Sequence, residues 1–335
     1  MSDTIDDVHA LEACIGKTPG PMHLKVIDHL DHGALHWIAS SSLCFVAFGD
    51  GAGIAITLGG DEPGFVRATD PKRLILPVAS LDDAHLAKVG QGFGALFLTP
   101  AVGETLRVNG RVLAVSEVEI EIAVEECYVH CAKALIRSNF WSALPHSEIS
   151  NDPAQFLAQS RLMALATIDQ QGRADLSPKG DPAGTMLRLH EGAVCYADRP
   201  GNRRADSFRN ILVQPRIAAA ALIPGSTQIA VMSGVARITT DSAMRAGFAV
   251  DGKTPLLATY IEKPQLVIRE SAALQRARLW PVTARAEGID PAAMLVAHVK
   301  ANKTNGIQAT LVRTVLLVPG LMEKGLKQDY KTNLY

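Results

Sequence analysis

The chain has 335 residues, of which 47% are hydrophobic, and these values predict two domains that each bury a core. Its 33 basic and 34 acidic residues give a net charge of −1, so no overall field favours nucleic acid or a membrane surface. Aromatic residues make up 5%, which argues against a platform for stacking bases.

The sequence also predicts the compartment. The acidic N-terminus MSDTIDDVHALEACIG lacks the basic and then apolar layout of a signal peptide. No apolar run reaches the roughly 18 residues that a membrane span requires. The five cysteines, at positions 14, 44, 127, 131 and 195, form no disulfide framework. We therefore expect a cytoplasmic protein without a membrane partner.

The first half combines one helical segment with several strand-like runs. Residues 26–40 carry apolar side chains at nearly helical spacing, which predicts a helix. Six strands are predicted, at 43–48, 53–58, 73–77, 95–99, 105–115 and 118–130. A short helix is predicted over 81–89, between the third and the fourth of these strands. Residues 131–141 are expected to end this unit as a short helix or a strand-to-helix turn.

The second half repeats this scheme after a linker at about 142–152. Asp152-Pro153 predicts a helix start, because proline is tolerated in the first helical turn. Further strands are predicted at 162–168, 174–177, 187–189, 193–197, 217–223, 228–239 and 266–269. A short helix is predicted over 205–212. Antiparallel strands with few short helices predict a mainly β fold of two small β-barrels. Beyond residue 284 we expect a helix from Asp290 to about Ala301 and a polar, exposed tail over 323–335.

The two halves carry the same landmarks in the same order. Gly60-Asp61-x-x-Gly64 recurs as Gly180-Asp181-x-x-Gly184, a shift of 120 positions. The spacing from Pro100 to Gly110 recurs from Pro224 to Gly234, and residues 134–141 resemble residues 273–280. A period above 100 residues is too long for a solenoid, so the pattern predicts two fused domains of one fold.

The halves differ at one turn. Asn202-Arg203-Arg204 of the second half aligns with Asp82-Asp83-Ala84 of the first. Two arginines at a glycine turn before a helix combine guanidinium forks with backbone N–H groups and the positive end of the helix dipole, a combination that binds phosphate. Lys179 adds a point charge from a neighbouring strand. A solvated surface turn is the alternative. We predict one anion site, in the second half.

The run GDPAG…DRPGNRRADSFRNILVQPR resembles the FMN-binding split-barrel proteins related to pyridoxamine 5′-phosphate oxidase. The first half resembles the same family through GDEPGFVR, PAVGETLRVNGR and VEECYVHCAKALIRSNFW, and together the similarity spans about 40–285. The resemblance implies two tandem split barrels that form a pseudo-dimer within one chain. The expected domains are 1–145, with a degenerate phosphate site, and 152–284, with the phosphate motif. Residues 285–335 then form a C-terminal extension.

Members of that family bind FMN at a homodimer interface, so the resemblance implies a site shared by the two halves. The implied phosphate ligands are Ser177, Lys179, Asn202, Arg203 and Arg204. The implied ring-covering residues, from the first half, are His130, Lys133, Arg137 and Trp141. We also assign to the cofactor site three residues just before the turn, namely Tyr196, Asp198 and Arg199.

The first half lacks the phosphate-binding residues of the second, and the second half lacks ring-covering residues of the first. Asp83 and Ala84 replace the two arginines, and Gly59 stands where the second half has Lys179. The second half has Arg269 where the first has His130, and Ala272 where the first has Lys133. This reciprocal loss predicts one composite FMN site per chain.

The resemblance implies an FMN-dependent oxidoreductase, whose partner is a small-molecule substrate or an electron donor. The sequence leaves open whether that donor is NADH, NADPH or a deazaflavin. The true oxidase holds its substrate with an Arg-x-His motif, whereas this chain continues after Trp280 as PVTAR. Pyridoxamine phosphate oxidation is therefore not expected, and no acid–base catalyst is assigned. The alternative is a non-catalytic flavin or haem binder or sensor. We expect a monomeric pseudo-dimer, and further self-association stays open.

Two other groups of residues are candidates for a metal or redox site. His29, His32 and His36 share one helix face, and Cys127-x-x-x-Cys131 flanks His130. A polar helix face and strand core positions explain these spacings better. We assign no metal.

Overall fold

The structure, a computed structural model, describes residues 3–146, 149–201, 204–304 and 320–335. In the described residues the strands are β1 (Thr4–Ile5), β2 (Leu43–Asp50), β3 (Gly53–Gly60), β4 (Arg67–Asp70), β5 (Arg73–Pro77), β6 (Gly92–Leu98), β7 (Thr105–Val115), β8 (Glu119–His130), β9 (Leu162–Ile168), β10 (Ala174–Gly180), β11 (Arg188–His190), β12 (Ala193–Ala197), β13 (Arg216–Leu222), β14 (Gln228–Thr239) and β15 (Ala258–Glu270). They form two antiparallel sheets, so the predicted mainly β fold is confirmed.

The two sheets have the same strand order. The first runs β3-β2-β6-β7-β8-β5-β4, and the second runs β10-β9-β13-β14-β15-β12-β11, with β1 added beside β14. Matching irregularities support the correspondence, because the register shifts at Gly110 in the first sheet and between Ser233 and Val235, around Gly234, in the second. These two glycines are the ones that the sequence comparison paired, and each lies at a β-bulge.

Short helices connect and cover the sheets. In the described residues the α-helices are α1 (Val8–Ile15), α2 (His32–Ala39), α3 (Lys133–Arg137), α4 (Pro153–Gln159), α5 (Asp206–Val213), α6 (Ser242–Ala246), α7 (Ala272–Ala277), α8 (Pro291–Ala301) and α9 (Leu321–Thr332). The 3₁₀ turns are Gly20–Lys25, Val78–Ser80, Ala84–Leu86 and Phe140–Ser142. Within the described ranges no helix is long and apolar enough to cross a bilayer.

Capping explains one boundary that the sequence analysis misplaced. The helix predicted over 26–40 begins only at His32, because the Asp31 side chain accepts a hydrogen bond from the Ala34 N–H and so caps the helix. The helix predicted over 81–89 is wrong, since only the 3₁₀ turn Ala84–Leu86 forms there.

Three large hydrophobic clusters and two small ones fill the described part of the molecule, and one of the large clusters is shared by the two halves. The first and second clusters lie within the first and second sheets, whereas the third joins strands of both. Strand β13 shows how the clusters are separated: Ile217, Ala219 and Ala221 face the second cluster, and Ala218 and Ala220 face the shared one. A strand that is buried on both faces reads as a continuous apolar run, which explains this alanine-rich segment.

The terminal segments cross over to the opposite half. Residues before 20 were expected in the first domain. Their strand β1 instead pairs with β14 of the second sheet, and Leu11 is buried in the second cluster. Residues after 285 pack on the first half, where Met294 joins the first cluster. The predicted domain bounds stay a prediction, and the packing adds each terminal segment to the other half.

Candidate functional site

A cavity of about 520 Å³ lies between the two halves, within the size range of small-molecule sites. Its lining residues include, from the first half, Arg107, His130, Cys131, Lys133 and Arg137; from the second half, Ser177, Lys179, Asp181, Asp198, Arg199, Arg204, Asp206, Ser207 and Lys253; and from the C-terminal segment, Asp329, Asn333 and Tyr335. We call it the composite cavity.

Strand β10 supplies one wall of the composite cavity because its side chains alternate. Asp175, Ser177 and Lys179 lie at every second position and so point to one face, while Leu176 faces the shared core. Ser177 and Lys179 line the cavity, and the Lys179 Nζ lies 5.3 Å from the centre of the Phe208 ring.

A buried arginine joins the first half to this wall. Arg107, which is 1% exposed, donates from Nη1 to the Tyr128 hydroxyl and to Asp175 Oδ1, both at 2.5 Å. Its Nη2 donates to Ser177 Oγ at 2.9 Å, and Ser177 Oγ lies 2.8 Å from Ser207 Oγ. The network therefore fixes Ser177 from both halves of the chain.

Asp181 makes a second connection between the halves. Its carboxylate pairs with Arg199 Nε of the second half at 2.6 Å and with Arg137 Nε of the first half at 3.3 Å. Arg137 Nε also donates to the Gly180 carbonyl at 2.7 Å. The repeated Gly-Asp motif is thus a docking point for an arginine of the other half.

The composite cavity carries excess positive charge. Seven basic and four acidic side chains line it, in a chain whose net charge is −1. In the described residues no carboxylate lies within 4.0 Å of Lys179 Nζ, and burial, with Arg137 and Arg107 nearby, lowers the pKa of Lys179. Burial and four neighbouring cations hold the pKa of His130 well below its usual value. Such a site favours an anionic ligand.

The C-terminal segment closes one side of the composite cavity. Asp329 of α9 forms an ion pair of 2.8 Å with Lys133, and the Leu334 carbonyl accepts from Arg137 Nη1 at 2.9 Å. Arg199 lies 5.6 Å from the centre of the Tyr335 ring. The tail was expected to be exposed, and this expectation is wrong for Asp329, Leu334 and Tyr335, which are half-buried.

In the first half, the turn Asp82-Asp83-Ala84, which aligns with the arginine turn of the second half, takes part in an ion pair. Arg269 pairs with Asp83, and Thr57 Oγ1 donates to the same carboxylate at 3.0 Å. Asp82 accepts from Ser271 Oγ at 2.6 Å and from the Ala273 N–H at 2.8 Å. The acidic residues that replace the arginines therefore hold α7 and β15 in place.

Most of the predicted site residues that the structure describes lie together in the composite cavity. They are His130, Lys133, Arg137, Ser177, Lys179, Asp198, Arg199 and Arg204. Arg204 pairs with Asp206, and its guanidinium lies 4.5 Å from the centre of the Tyr128 ring. Asn202 and Arg203 lie outside the described residues.

Two predicted site residues lie elsewhere. Tyr196 is buried in the second cluster, because alternation along β12 points it away from the cavity that Ala197 lines. Trp141 donates from Nε1 to the Val102 carbonyl at 2.6 Å and packs on Phe140, so the 3₁₀ turn directs its ring away from the cavity.

Several residues of the site escaped the sequence analysis. Arg107 had a readable signal, since a charged residue in an apolar strand that is buried on both faces must meet a partner. Asp329 and Tyr335 had none, because only the fold brings the tail to the cavity.

The described part of the chain contains no group of three or more His, Cys, Asp or Glu side chains that could hold a metal ion. His36 Nε2 lies 2.8 Å from the Glu287 carbonyl, and Cys127 is a buried free thiol in the first cluster. Cys127 therefore contributes to the core, whereas His36 is an exposed side chain of α2.

The fold and the site define a class, a mainly β protein with a cationic cavity between two similar sheets. Residues 152–286 match the family model described as pyridoxamine 5′-phosphate oxidase. The second half therefore matches the family that its motifs resemble. No curated protein matches the chain.

Three solved structures that are similar to the chain each cover between 35% and 37% of it. HupZ of Group A Streptococcus has 18% identity and a TM-score of 0.30, covering 37% of this chain and 97% of its own. A protein titled F420 reductase has 12% identity and a TM-score of 0.27, covering 37% and 100%. HutZ of Vibrio cholerae, titled a haem storage protein, has 12% identity and a TM-score of 0.22, covering 35% and 89%.

Proposed function

We propose that this chain is an FMN-binding oxidoreductase with one composite cofactor site. The observation that carries the proposal is the excess of positive charge in a cavity that both halves line. The corresponding place in the other half supports a single site, because Asp83 and Arg269 already pair there.

The residues of the composite cavity fit a flavin mononucleotide. Lys179 and Ser177 would bind the phosphate, together with Arg204 and the adjacent arginine of the motif. Lys133 and Arg137 bring positive charge from the first half, which would favour an anionic form of the ring. FMN supplies the electron transfer, while the protein contributes binding, orientation and charge.

FMN binding tests this proposal. Titration of the full chain, followed by flavin fluorescence, should give one FMN per chain. Lys179→Met should weaken binding about 10- to 100-fold, because it removes a charged hydrogen bond donor from a buried site. Asp83→Asn, at the corresponding turn of the other half, is the matched control and should leave the FMN affinity unchanged. Absence of binding, or two FMN per chain, would contradict the proposal.

A haem or flavin binder without catalysis is the second candidate, and His130 favours its haem form. A neutral imidazole that lines a cavity can ligate iron, and His130 is held neutral. The absorption spectrum of the purified chain distinguishes flavin from haem. Reduction of bound FMN by NADH, NADPH or a reduced deazaflavin, with turnover, supports the enzyme, whereas a flavin that none of these donors reduces supports the binder.

A further inference from the structure

A second cavity, of about 310 Å³, adjoins the composite cavity. The two share as lining residues His130, Cys131, Lys133, Gly201 and Asp329. The remaining walls of the second cavity are mostly apolar and come from Pro19, Met22, Val129, Pro291, Leu295 and Leu326. A ligand there would lie beside a ligand in the composite cavity.

Helix α9 forms the roof of the second cavity and is held there by polar contacts. The Tyr330 hydroxyl donates to Glu104 Oε1 at 3.0 Å and accepts from the Ala132 N–H at 3.2 Å. The residue before Tyr330, Asp329, pairs with Lys133. These contacts use the polar groups of the roof and leave Leu326 to face the space.

Lys25 and Glu104 are the charged groups of this cavity that form no ion pair in the described residues. Glu104 accepts a hydrogen bond from the Tyr330 hydroxyl, and burial raises its pKa, so the charge that lacks a counterion is that of Lys25. The residue is 7% exposed, and its Nζ donates to the Val129 carbonyl at 3.0 Å. The two other N–H groups of the ammonium have no carboxylate within 4.0 Å in the described residues, whereas Lys133 is paired with Asp329. A buried ammonium is costly unless a negative group approaches it.

We propose that the second cavity binds a small apolar molecule with one anionic oxygen group, such as an aromatic or aliphatic monocarboxylate, whose anionic group contacts Lys25. The apolar walls would bury the body of the ligand, and the ammonium would accept its charge. Use of this cavity as the substrate site of a flavin enzyme rests on the function proposed above, whereas binding of the anion does not.

Two fluorescent probes of similar shape test the proposal with the full chain. Anilinonaphthalene sulfonate is an apolar anion, and phenylnaphthylamine is its neutral counterpart. With FMN added to saturation, both should bind at one site. Lys25→Met should weaken the anionic probe about 10- to 100-fold and leave the neutral probe unchanged, which also shows that the variant is folded. Leu326→Trp should fill the cavity and weaken both probes. Lys300→Met, an exposed lysine of α8, is the matched control and should change neither.

Three results would overturn the proposal: no saturable binding of the anionic probe, equal binding by Lys25→Met, or displacement of the probe by FMN, which would place it in the composite cavity. If the chain binds no FMN, the same comparison runs without it. The proposed function would then fail while a Lys25-dependent site still stands.

Discussion

At the scale of single residues, each cavity is marked by one lysine: Lys25, which is buried, lines the second cavity, and Lys179, which is half-buried, lines the composite cavity. Lys25 and Lys179 both lack a carboxylate within 4.0 Å in the described part of the chain, and burial lowers the pKa of each. Folding therefore places unbalanced positive charge where ligands would bind. The stabilisation lost in the ligand-free protein is regained when an anion binds, because the anion binds only the folded state.

Lys25 should make the stability of the protein depend on pH. Its pKa is lowered from 10.5 to about 8, by burial first, with Cys131, Arg204, Arg107 and Asp206 acting on it as well. Between these two values the unfolded chain binds more protons than the folded one, so stability rises with pH. Lys25→Met removes the cost of the buried charge and leaves the Val129 carbonyl without its donor. We expect a net gain of about 2 kcal/mol in the free energy of unfolding at pH 7.

Urea unfolding of the ligand-free chain and of Lys25→Met at pH 7, 8 and 10 measures this effect. The advantage of the variant should be full at pH 7 and should shrink as the pH rises from 8 towards 10.5, because above 10.5 the lysine becomes neutral in the unfolded chain as well as in the folded one. Lys300→Met, which removes an exposed charge, should show no such trend. An advantage that is constant with pH would contradict the assignment.

Residues of the site were predictable where a local pattern, the repeat or the family resemblance indicated them. Lys179 was predicted from its place beside the arginine turn, whereas Ser177 and His130 were implied by the family resemblance. Alternation along β10 brings Ser177 and Lys179 to one face. Lys25 was missed because the elements that bury it, including α8 and α9, lie far away in the sequence. Tyr196 was assigned to the site by proximity to the motif, although strand alternation directs it into the core.

At the scale of elements, two glycines bring a strand of one half against a helix of the other. An added Cβ at Gly60 of β3 would overlap the Ala273 carbonyl of α7, and one at Gly180 of β10 would overlap the Ala134 carbonyl of α3. The four positions are the ones that the sequence comparison paired. The two contacts are therefore equivalent in packing, and only the second lies beside the composite cavity.

These glycines give a matched pair of variants. Gly60→Ala and Gly180→Ala should each lower the free energy of unfolding by about 1–3 kcal/mol, because an extra methyl group is forced into a close backbone contact. Only Gly180→Ala should also weaken FMN, since it displaces the strand that carries Lys179. Urea unfolding and FMN titration of both variants check this. Equal loss of FMN affinity in both would mean that the two helix contacts do not differ in function.

The secondary-structure elements were predictable where their own residues favour them, and not where contacts with distant residues form them. Strands with strong β-branched or apolar character, such as β7, β8 and β9, matched their predicted bounds closely. The polar tail gave no apolar period, and its helix α9 forms because Asp329 and Tyr330 find partners on the first half. Tertiary contacts of this kind override local propensity.

At the scale of the whole molecule, the shared core makes the two halves one structural unit. Phe45 and Leu58 of the first sheet pack in the same cluster as Leu162 and Leu222 of the second. The terminal segments add to this connection, since each packs on the opposite half. The repeat predicted two similar halves, but the crossed termini could not be read from it, because they lie outside the repeated region.

The shared core predicts a single unfolding transition. Phe97→Ala removes a side chain from the cluster of the first half, Phe156→Ala from that of the second, and Phe45→Ala from the shared cluster. Each should cost about 3–5 kcal/mol, and each should shift the same transition when circular dichroism and tryptophan fluorescence are followed together. Halves that fold independently would instead give two transitions, of which Phe97→Ala and Phe156→Ala would each lower only one. The coincidence of the two signals in all three variants therefore decides whether the composite cavity is formed by one cooperative unit.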